Sequence, residues 1–396
     1  MLSLDKVFNA QTVLKNIVRE TKLVRAYGIA PECELYLKPE NLQITGSFKV
    51  RGSAYKIAML SEEEKAKGVI ACSAGNHAQG VALAATKNGI KSLICLPDTA
   101  PISKVEATKG YGADVCLVEG CYDDAYQKAL ELRDKEGYTF VHPFDDENVI
   151  AGQGTIALEI LNDLDNIDAI VVPIGGGGLI SGVAYTAKQI RPSIKIYGVQ
   201  AAGAPSMYNS VKDGDVERLT SVSTIADGIA VKQPGENTYS IVKEYVDEIA
   251  LVSDDEVSSA ILALIEKQKM IAEGAGAVAV AAVMFNKFNL KNKRVVAVVS
   301  GGNIDVTSLS RVIDRGLLKS GRSSSLLIEL IEKPGQLKDI SRIIADCGGN
   351  VTGVHYEKGD TESVNGCFLR IEMETRDFEH VNLITKSLRD EGFKLV

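Results

Sequence analysis

Four short segments carry the residues that could do chemistry, and they follow one another in a fixed order. The first, Gly46-Ser47-Phe48-Lys49-Val50-Arg51-Gly52, sets a lysine between apolar neighbours and small residues. An amine withdrawn from water loses part of its preference for the charged form, which lowers its pKa toward nucleophilic competence. Arg51 is expected to push Lys49 the same way. The second, Ser73-Ala74-Gly75-Asn76-His77-Ala78-Gln79-Gly80, gathers donors at a strand-to-helix turn, a pattern that suits a helix cap as well as a ligand contact. The third, Gly175-Gly176-Gly177-Gly178-Leu179, follows the apolar run Val171-Val172-Pro173-Ile174 and precedes a helical pattern, so several N–H groups can close around a phosphate. Four glycines in a row have no packing value of their own, and the competing reading is a flexible turn. The fourth, Ser300-Gly301-Gly302-Asn303, ends the run Val295 to Val299, at a strand C-terminus where open α/β sheets hold ligands. No Gly-Lys-Ser/Thr follows the glycines, and their spacing does not fit the dinucleotide fingerprint. The phosphate belongs to something else.

Positioning these loops takes a regular scaffold. Short apolar strand candidates at Gly68 to Cys72, Lys91 to Leu96, Asp114 to Val118, Ala169 to Pro173, Lys195 to Gln200 and Arg294 to Ser300 alternate with helical patterns such as Gly75 to Asn88 and Leu179 to Ile190. That alternation implies a parallel sheet covered by helices. Beyond about Arg315 the pattern changes. Lys319 to Ser325 reads as a flexible polar connector, and 326–396 as a second domain. There the expected order is strand Leu326 to Glu332, turn Lys333-Pro334-Gly335, helix Gln336 to Cys347, strand Asn350 to Tyr356, a hairpin connection at Gly359-Asp360, strand Cys367 to Glu374, helix Phe378 to Asp390 and strand Phe393 to Val396. This is the βαββαβ plan of ferredoxin-like domains.

Composition narrows the function classes. The chain of 396 residues is 45% apolar, enough for two or three domains, and its net charge of -8 argues against a nucleic-acid surface. The start, Met-Leu-Ser-Leu-Asp, lacks the basic flank and apolar core of a secretory signal, and Ala275 to Phe285 is too short to span a bilayer. A cytoplasmic protein acting on small molecules is expected, without membrane or nucleic-acid partners. The seven cysteines are scattered and never spaced C-x-x-C, which supports no zinc site or disulfide framework. Cys72 is read as core packing. His142, His355 and His380 lack spaced partners and are read as structural, and no metal is expected.

Together Ser-Phe-Lys-x-Arg-Gly, Ser-Ala-Gly-Asn-His-Ala-Gln-Gly, Gly-Gly-Gly-Gly-Leu and Ser-Gly-Gly-Asn resemble the fold-type II pyridoxal-phosphate family, in its threonine dehydratase (threonine ammonia-lyase) branch. The resemblance covers roughly Thr12 to Arg315 and includes Thr224 to Val231 and Glu273-Gly274-Ala275-Gly276-Ala277. The tail resembles a single ACT regulatory domain. The fold implied is α/β, with two open-sheet subdomains resembling the tryptophan synthase β subunit. Its catalytic domain would be 1–318 with a small subdomain at about 45–150 inserted, followed by a linker at 319–325 and the ACT domain at 326–396. The resemblance implies that Lys49 is the Schiff-base lysine, that Phe48 packs on the cofactor ring and that Asn76 bonds the ring oxygen. Gly175, Gly176, Gly177, Gly178 and Leu179 would hold the phosphate, and Ser300 would meet the pyridine nitrogen. Ser73, Gly75, Asn76 and His77 would surround the substrate carboxylate, chiefly through backbone N–H groups.

The implied activity is conversion of L-threonine to 2-oxobutanoate and ammonia, with L-serine to pyruvate as a side activity. A role in either isoleucine synthesis or threonine breakdown, an isoleucine or valine effector at the ACT domain, and a dimer or tetramer are implied by the same resemblance. Serine racemase or serine dehydratase is the alternative, since the racemase shares the cofactor motifs. The resemblance implies that the racemase carries a second serine where this chain has Ala74 and a divalent-metal site with acids in the segment around Gln200 to Ser206, where Gln200, Ala204 and Ser206 offer none.

Overall fold

Runs of Val, Ile and Ala build the core of the larger sheet because strands covered by helices on both faces have no side chain to offer water. Ala169–Pro173 and all but the first residue of Arg294–Val299 are buried on both faces. They are joined by Glu34–Pro39, Lys195–Ala201 and Glu248–Val252, all five parallel, in the order 34–39, 294–299, 169–173, 195–201, 248–252. The two-residue strand Val24–Arg25 closes one edge antiparallel. The helix Gly274–Met284, apolar all round and buried, packs on the strands at 169–173 and 294–299. The computed structural model describes residues 2–331, 333–357 and 366–396.

A second parallel sheet lies in sequence between two strands of the first. Its order is Asp114–Val118, Ser92–Pro97, Val69–Cys72, Thr139–Phe140. Both sheets belong to a unit of residues 1–306, and residues 307–396 form another. The second unit contains Ser323–Ile331, Gln336–Asp346, Asn350–Glu357, Gly366–Glu374, Phe378–Asp390 and Lys394–Leu395 as strand, helix, strand, strand, helix and strand. Its antiparallel sheet runs 350–357, 366–374, 323–331, 394–395, the ferredoxin-like order, over a core that includes Ile328, Ile344, Leu369, Ile371 and Leu388.

Two expectations change here. The connector at 319–325 is not free chain: Lys319 ends the helix Val306–Lys319, and Ser323, Ser324 and Ser325 pair with Glu374, Met373 and Glu372. A strand that runs on past its apolar core needs only its backbone ladder, so serines serve there. The boundary between units accordingly falls at 306–307 rather than at 318. The hairpin expected at Gly359-Asp360 lies outside the described residues, as does Glu332. Among the described residues no helix is long and apolar enough to cross a membrane.

Candidate active site

The first unit contains a cavity of about 780 Å³, a volume suited to a small molecule. Phe48, Lys49, Ser73, Gly75, Asn76, His77, Gly175 to Gly178, Leu179 and Ser300 all line it. The four segments, up to about 250 residues apart, are brought to one place.

Lys49 opens the helix Lys49–Ala58, and its loop is stitched to the loop after strand 294–299. Phe48 N donates to Ser300 O at 3.1 Å, Gly302 N donates to Gly46 O at 2.9 Å, and Ser47 bridges Gly301. The Lys49 amine donates to Pro143 O at 2.8 Å and sits 5.3 Å from the centre of the Phe48 ring. Desolvation brings its pKa down to about 8, against the opposing pull of Glu273. Arg51 has no part in that shift, contrary to expectation. Its guanidinium is fully buried on the far side and doubly bidentate, to Glu40 (2.8 and 2.8 Å) and to Glu159 (2.6 and 2.9 Å). Carboxylates from the turn Glu40–Leu42 and the helix Glu147–Asp163 answer a charge that sequence adjacency had aimed at the lysine.

The glycine loop runs from strand 169–173 into the helix Gly178–Ile190. At Gly176, Gly177 and Gly178 a side chain could enter only if a neighbour moved, and at Gly175 the fit is tight. A Cβ would come within 3.1 Å of Ile229 Cα at Gly175, 2.4 Å of the Phe144 ring at Gly176, 2.7 Å of Thr238 Cβ at Gly177 and 2.9 Å of Phe144 at Gly178. Gly177 also has φ +101°, a conformation that side-chain-bearing residues avoid. Thr238 holds the loop by donating from Oγ1 to Gly176 O at 2.6 Å, while its own N–H reaches Asp145 Oδ1 at 3.1 Å. The result is a backbone-lined cup at a helix N-terminus, where the first N–H groups have no acceptor within the helix.

Asn76 starts the helix Asn76–Lys87 but caps nothing: the cap position is Gly75, whose N–H donates to Ser73 Oγ at 3.2 Å. The Asn76 carboxamide instead donates to Glu273 Oε1 at 2.6 Å and accepts from Asn303 Nδ2 at 2.8 Å. His77 turns its ring inward, with Nε2 2.8 Å from Val141 O and Nδ1 3.4 Å from Ser53 Oγ. Burial, reinforced by Lys49, pushes its pKa down to about 3, so the ring stays neutral and offers the cavity no charge. Any contact of His77 with a ligand is through its backbone. Ser300 is buried and donates to Ala275 O at 3.2 Å. Cys72 is buried, and burial pushes its thiol up to about 12, in keeping with a packing role.

Several residues of the cavity carried no role in the sequence reading. Glu273 is 6% exposed and lies in the wall, with burial and neighbouring Asp227 pushing its pKa up to about 7. Its motif was visible in the sequence, but its partner Asn76 is 197 residues away. His142 also lines the cavity, its Nδ1 accepting from the N–H groups of Phe144 and Asp145 at 3.3 and 2.7 Å. At the rim, Lys104 pairs with Asp227 at 2.8 Å, and Asp123 with Arg218 at 3.3 Å and Lys232 at 3.7 Å.

The pieces suit a phosphorylated aldehyde: a desolvated amine to bond it, a ring face in Phe48, a carboxamide donor, and a close-walled glycine cup of backbone N–H groups. Comparison with known proteins agrees. The model of the family "Pyridoxal-phosphate dependent enzyme" matches residues 14–301. The L-threonine ammonia-lyase of Thermotoga maritima is 48% identical over 398 aligned residues, covering 100% of this chain and 99% of that one. The catabolic L-threonine dehydratase TdcB of Staphylococcus aureus is 48% identical over 80% of this chain and 93% of its own. Among solved structures, the processed threonine deaminase isoform 2 of Solanum lycopersicum superposes with a TM-score of 0.76 at 40% identity, covering 80% of this chain and 90% of that one. From the cup, the amine and a match that runs the whole length, the chain belongs to the pyridoxal-phosphate-dependent enzymes, in their fold-type II threonine ammonia-lyase branch.

Proposed function

We propose that the chain converts L-threonine to 2-oxobutanoate and ammonia, and L-serine to pyruvate as a side activity. The observation that carries the reading is Lys49: an amine with pKa brought down to about 8, facing a cavity walled by the glycine cup and Asn76. Pyridoxal phosphate, when bound, supplies the electron withdrawal that makes the substrate α-proton removable. Gly175 to Leu179 would hold its phosphate, Asn76 its ring oxygen and Phe48 its ring face. Ser300 would meet the ring nitrogen with a neutral hydroxyl, which brings no negative charge to hold a proton there.

The chain's own steps are proton transfers and orientation. In its neutral form Lys49 Nζ accepts the α-proton of threonine. The loop Ser73 to His77 receives the substrate carboxylate on backbone N–H groups. The β-hydroxyl leaves as water, and one water is taken up again when ammonia is released, so threonine balances 2-oxobutanoate plus ammonia. Position 74 is alanine and has no hydroxyl to return a proton to the opposite face of Cα, which favours elimination over racemisation. The ferredoxin-like unit we read as an ACT domain that takes a branched-chain amino acid, in an oligomeric enzyme.

A coupled 2-oxoacid assay with L-threonine and L-serine, each with and without isoleucine and valine, tests the whole reading. Release of 2-oxobutanoate, faster than release of pyruvate and slowed by isoleucine, is the expected result and assigns the enzyme to synthesis. Threonine turnover indifferent to both effectors removes the regulatory part and favours a catabolic role like that named for the Staphylococcus relative. Accumulating D-serine overturns the reaction proposed.

A further inference from the structure

The side chains around Asn76 form a relay that can point in only one direction. Its origin is the backbone carbonyl of Thr45, which can accept a hydrogen bond but never donate one. Asn303 Nδ2 lies 2.7 Å from that oxygen and 2.8 Å from Asn76 Oδ1, so both N–H groups of Asn303 are spent and its amide cannot be reversed without facing oxygen against oxygen. Asn76 must therefore turn its oxygen to Asn303 and its nitrogen to Glu273, whose Oε1 accepts at 2.6 Å. One N–H of Asn76 is left over.

Two missing side chains make room for the relay. A Cβ on Gly46 would lie 2.3 Å from Asn303 Oδ1, and one on Gly301 would lie 2.2 Å from Glu273 Oε1 and 3.2 Å from Asn76 Nδ2. The two loops that bracket Lys49 and Ser300 are glycine at the points where the relay passes.

We infer that Asn303 and Glu273 are positioning residues for Asn76, fixing its carboxamide so that the remaining N–H is offered into the cavity as a donor to the cofactor's ring oxygen. The inference rests on the contact proposed above between Asn76 and that oxygen. Glu273 adds a charge as well as an acceptor. It faces Asp227 from the turn Asp227–Ile229, Lys104 from the helix Ile102–Gly110 and Lys49 from the helix Lys49–Ala58. Burial first, then Asp227, raises its pKa to about 7, with Asn76, Lys104 and Lys49 opposing. As pH falls through that value the relay loses its terminal charge, and the contact to Asn76 weakens from charge-assisted to neutral.

The test follows cofactor dissociation from the holoenzyme by its visible absorption, from about pH 5.5 to about 9. Glu273→Ala removes the terminal acceptor, and Asn303→Asp reverses the relay by facing a carboxylate to the Thr45 carbonyl. Both are expected to shed the cofactor at least about ten-fold faster than the parent, the scale of one hydrogen bond to a charged group. Glu273→Gln keeps an acceptor of the same reach without titrating. It is expected to hold the cofactor within about three-fold of the parent at low pH and to lose the pH dependence of retention that the parent owes to this carboxyl. Parent-like retention by Glu273→Ala or by Asn303→Asp, or an unchanged pH dependence in Glu273→Gln, would overturn the inference. The readout needs no turnover, so a coloured parent that releases no 2-oxobutanoate defeats the proposed activity alone. A parent that takes up no cofactor defeats both.

Discussion

Lys49 and Arg51 stand two residues apart on one helix, both withdrawn from water, and they meet opposite fates. Arg51 enters a buried cluster with Glu40, Glu159, Thr155 and Lys38, where every nitrogen finds an oxygen. Burial alone would push the Glu40 carboxyl up, but Arg51 holds it below the usual carboxylate range, and the same pairing keeps Arg51 charged. Lys38 shows the limit, since burial lowers its pKa even with Glu40 and Glu159 beside it. On the cavity side, Lys49 has a carbonyl for its partner and Glu273 an amide. Their pKa values move toward each other, to about 8 and about 7. Desolvation acts on both faces of the helix. Where a bidentate ion pair outweighs it, it makes a brace, and where nearby charge only partly opposes it, it makes a group ready to exchange a proton.

That contrast can be broken at several points. Lys49→Ala should cost at least about 10⁴-fold in threonine turnover and abolish the Lys49-dependent visible band, because it removes the amine proposed to accept the α-proton; a coloured, active variant would end the account. Arg51→Met should lower unfolding free energy by about 3–5 kcal/mol in urea titration, since it takes the guanidinium from buried Glu40 and leaves Glu159 with Lys38 alone. It should leave the Lys49 pKa alone in whatever fraction remains folded, and a shifted lysine would mean that the two faces are coupled. Gly176→Ala forces a methyl into the Phe144 ring and should cost about 1–3 kcal/mol in stability together with much of the cofactor affinity.

Acylation of the cofactor-free chain at graded pH should give half-maximal labelling of Lys49 near pH 8, against about 10.4 for a free lysine. Its ammonium form is protected below that point and its free amine reacts above it. Smallest of all is Lys104→Ala at the rim, where the half-exposed pair with Asp227 should contribute under about 1 kcal/mol, and less as salt is added.

The sequence exposed whatever is local. Asp114–Val118, Ala169–Pro173 and Phe378–Asp390 could be read to the residue because their apolar pattern is complete within a short window. Glu34–Pro39 was missed for the opposite reason. It contains a glutamate, a lysine and a proline, and Lys38 is tolerable in a buried strand only because Glu159 reaches it from 121 residues away. The loops of the site announced themselves by their glycines, yet the reason for the four at 175–178 lies in Phe144, Ile229 and Thr238. Glu273 and Asn303 acquire their meaning through Asn76, and Arg51 through Glu40 and Glu159, so no window centred on any of them reveals the role.

The parallel pairing of Glu34–Pro39 with Arg294–Val299 bears on how the molecule is made. A ribosome adding about 5–20 residues per second needs roughly 13–50 s to supply the later strand after the earlier one has emerged. The sheet of residues 69–140, whose partners all arrive close together, can assemble during that interval, while the lysine loop must wait for Ser300 and Gly302 before it is tied down. Vitamin capture is thereby deferred to the end of synthesis of this unit, and a nascent chain stalled before residue 300 holds Lys49 as an ordinary charged ammonium, since the burial that lowers its pKa is not yet in place.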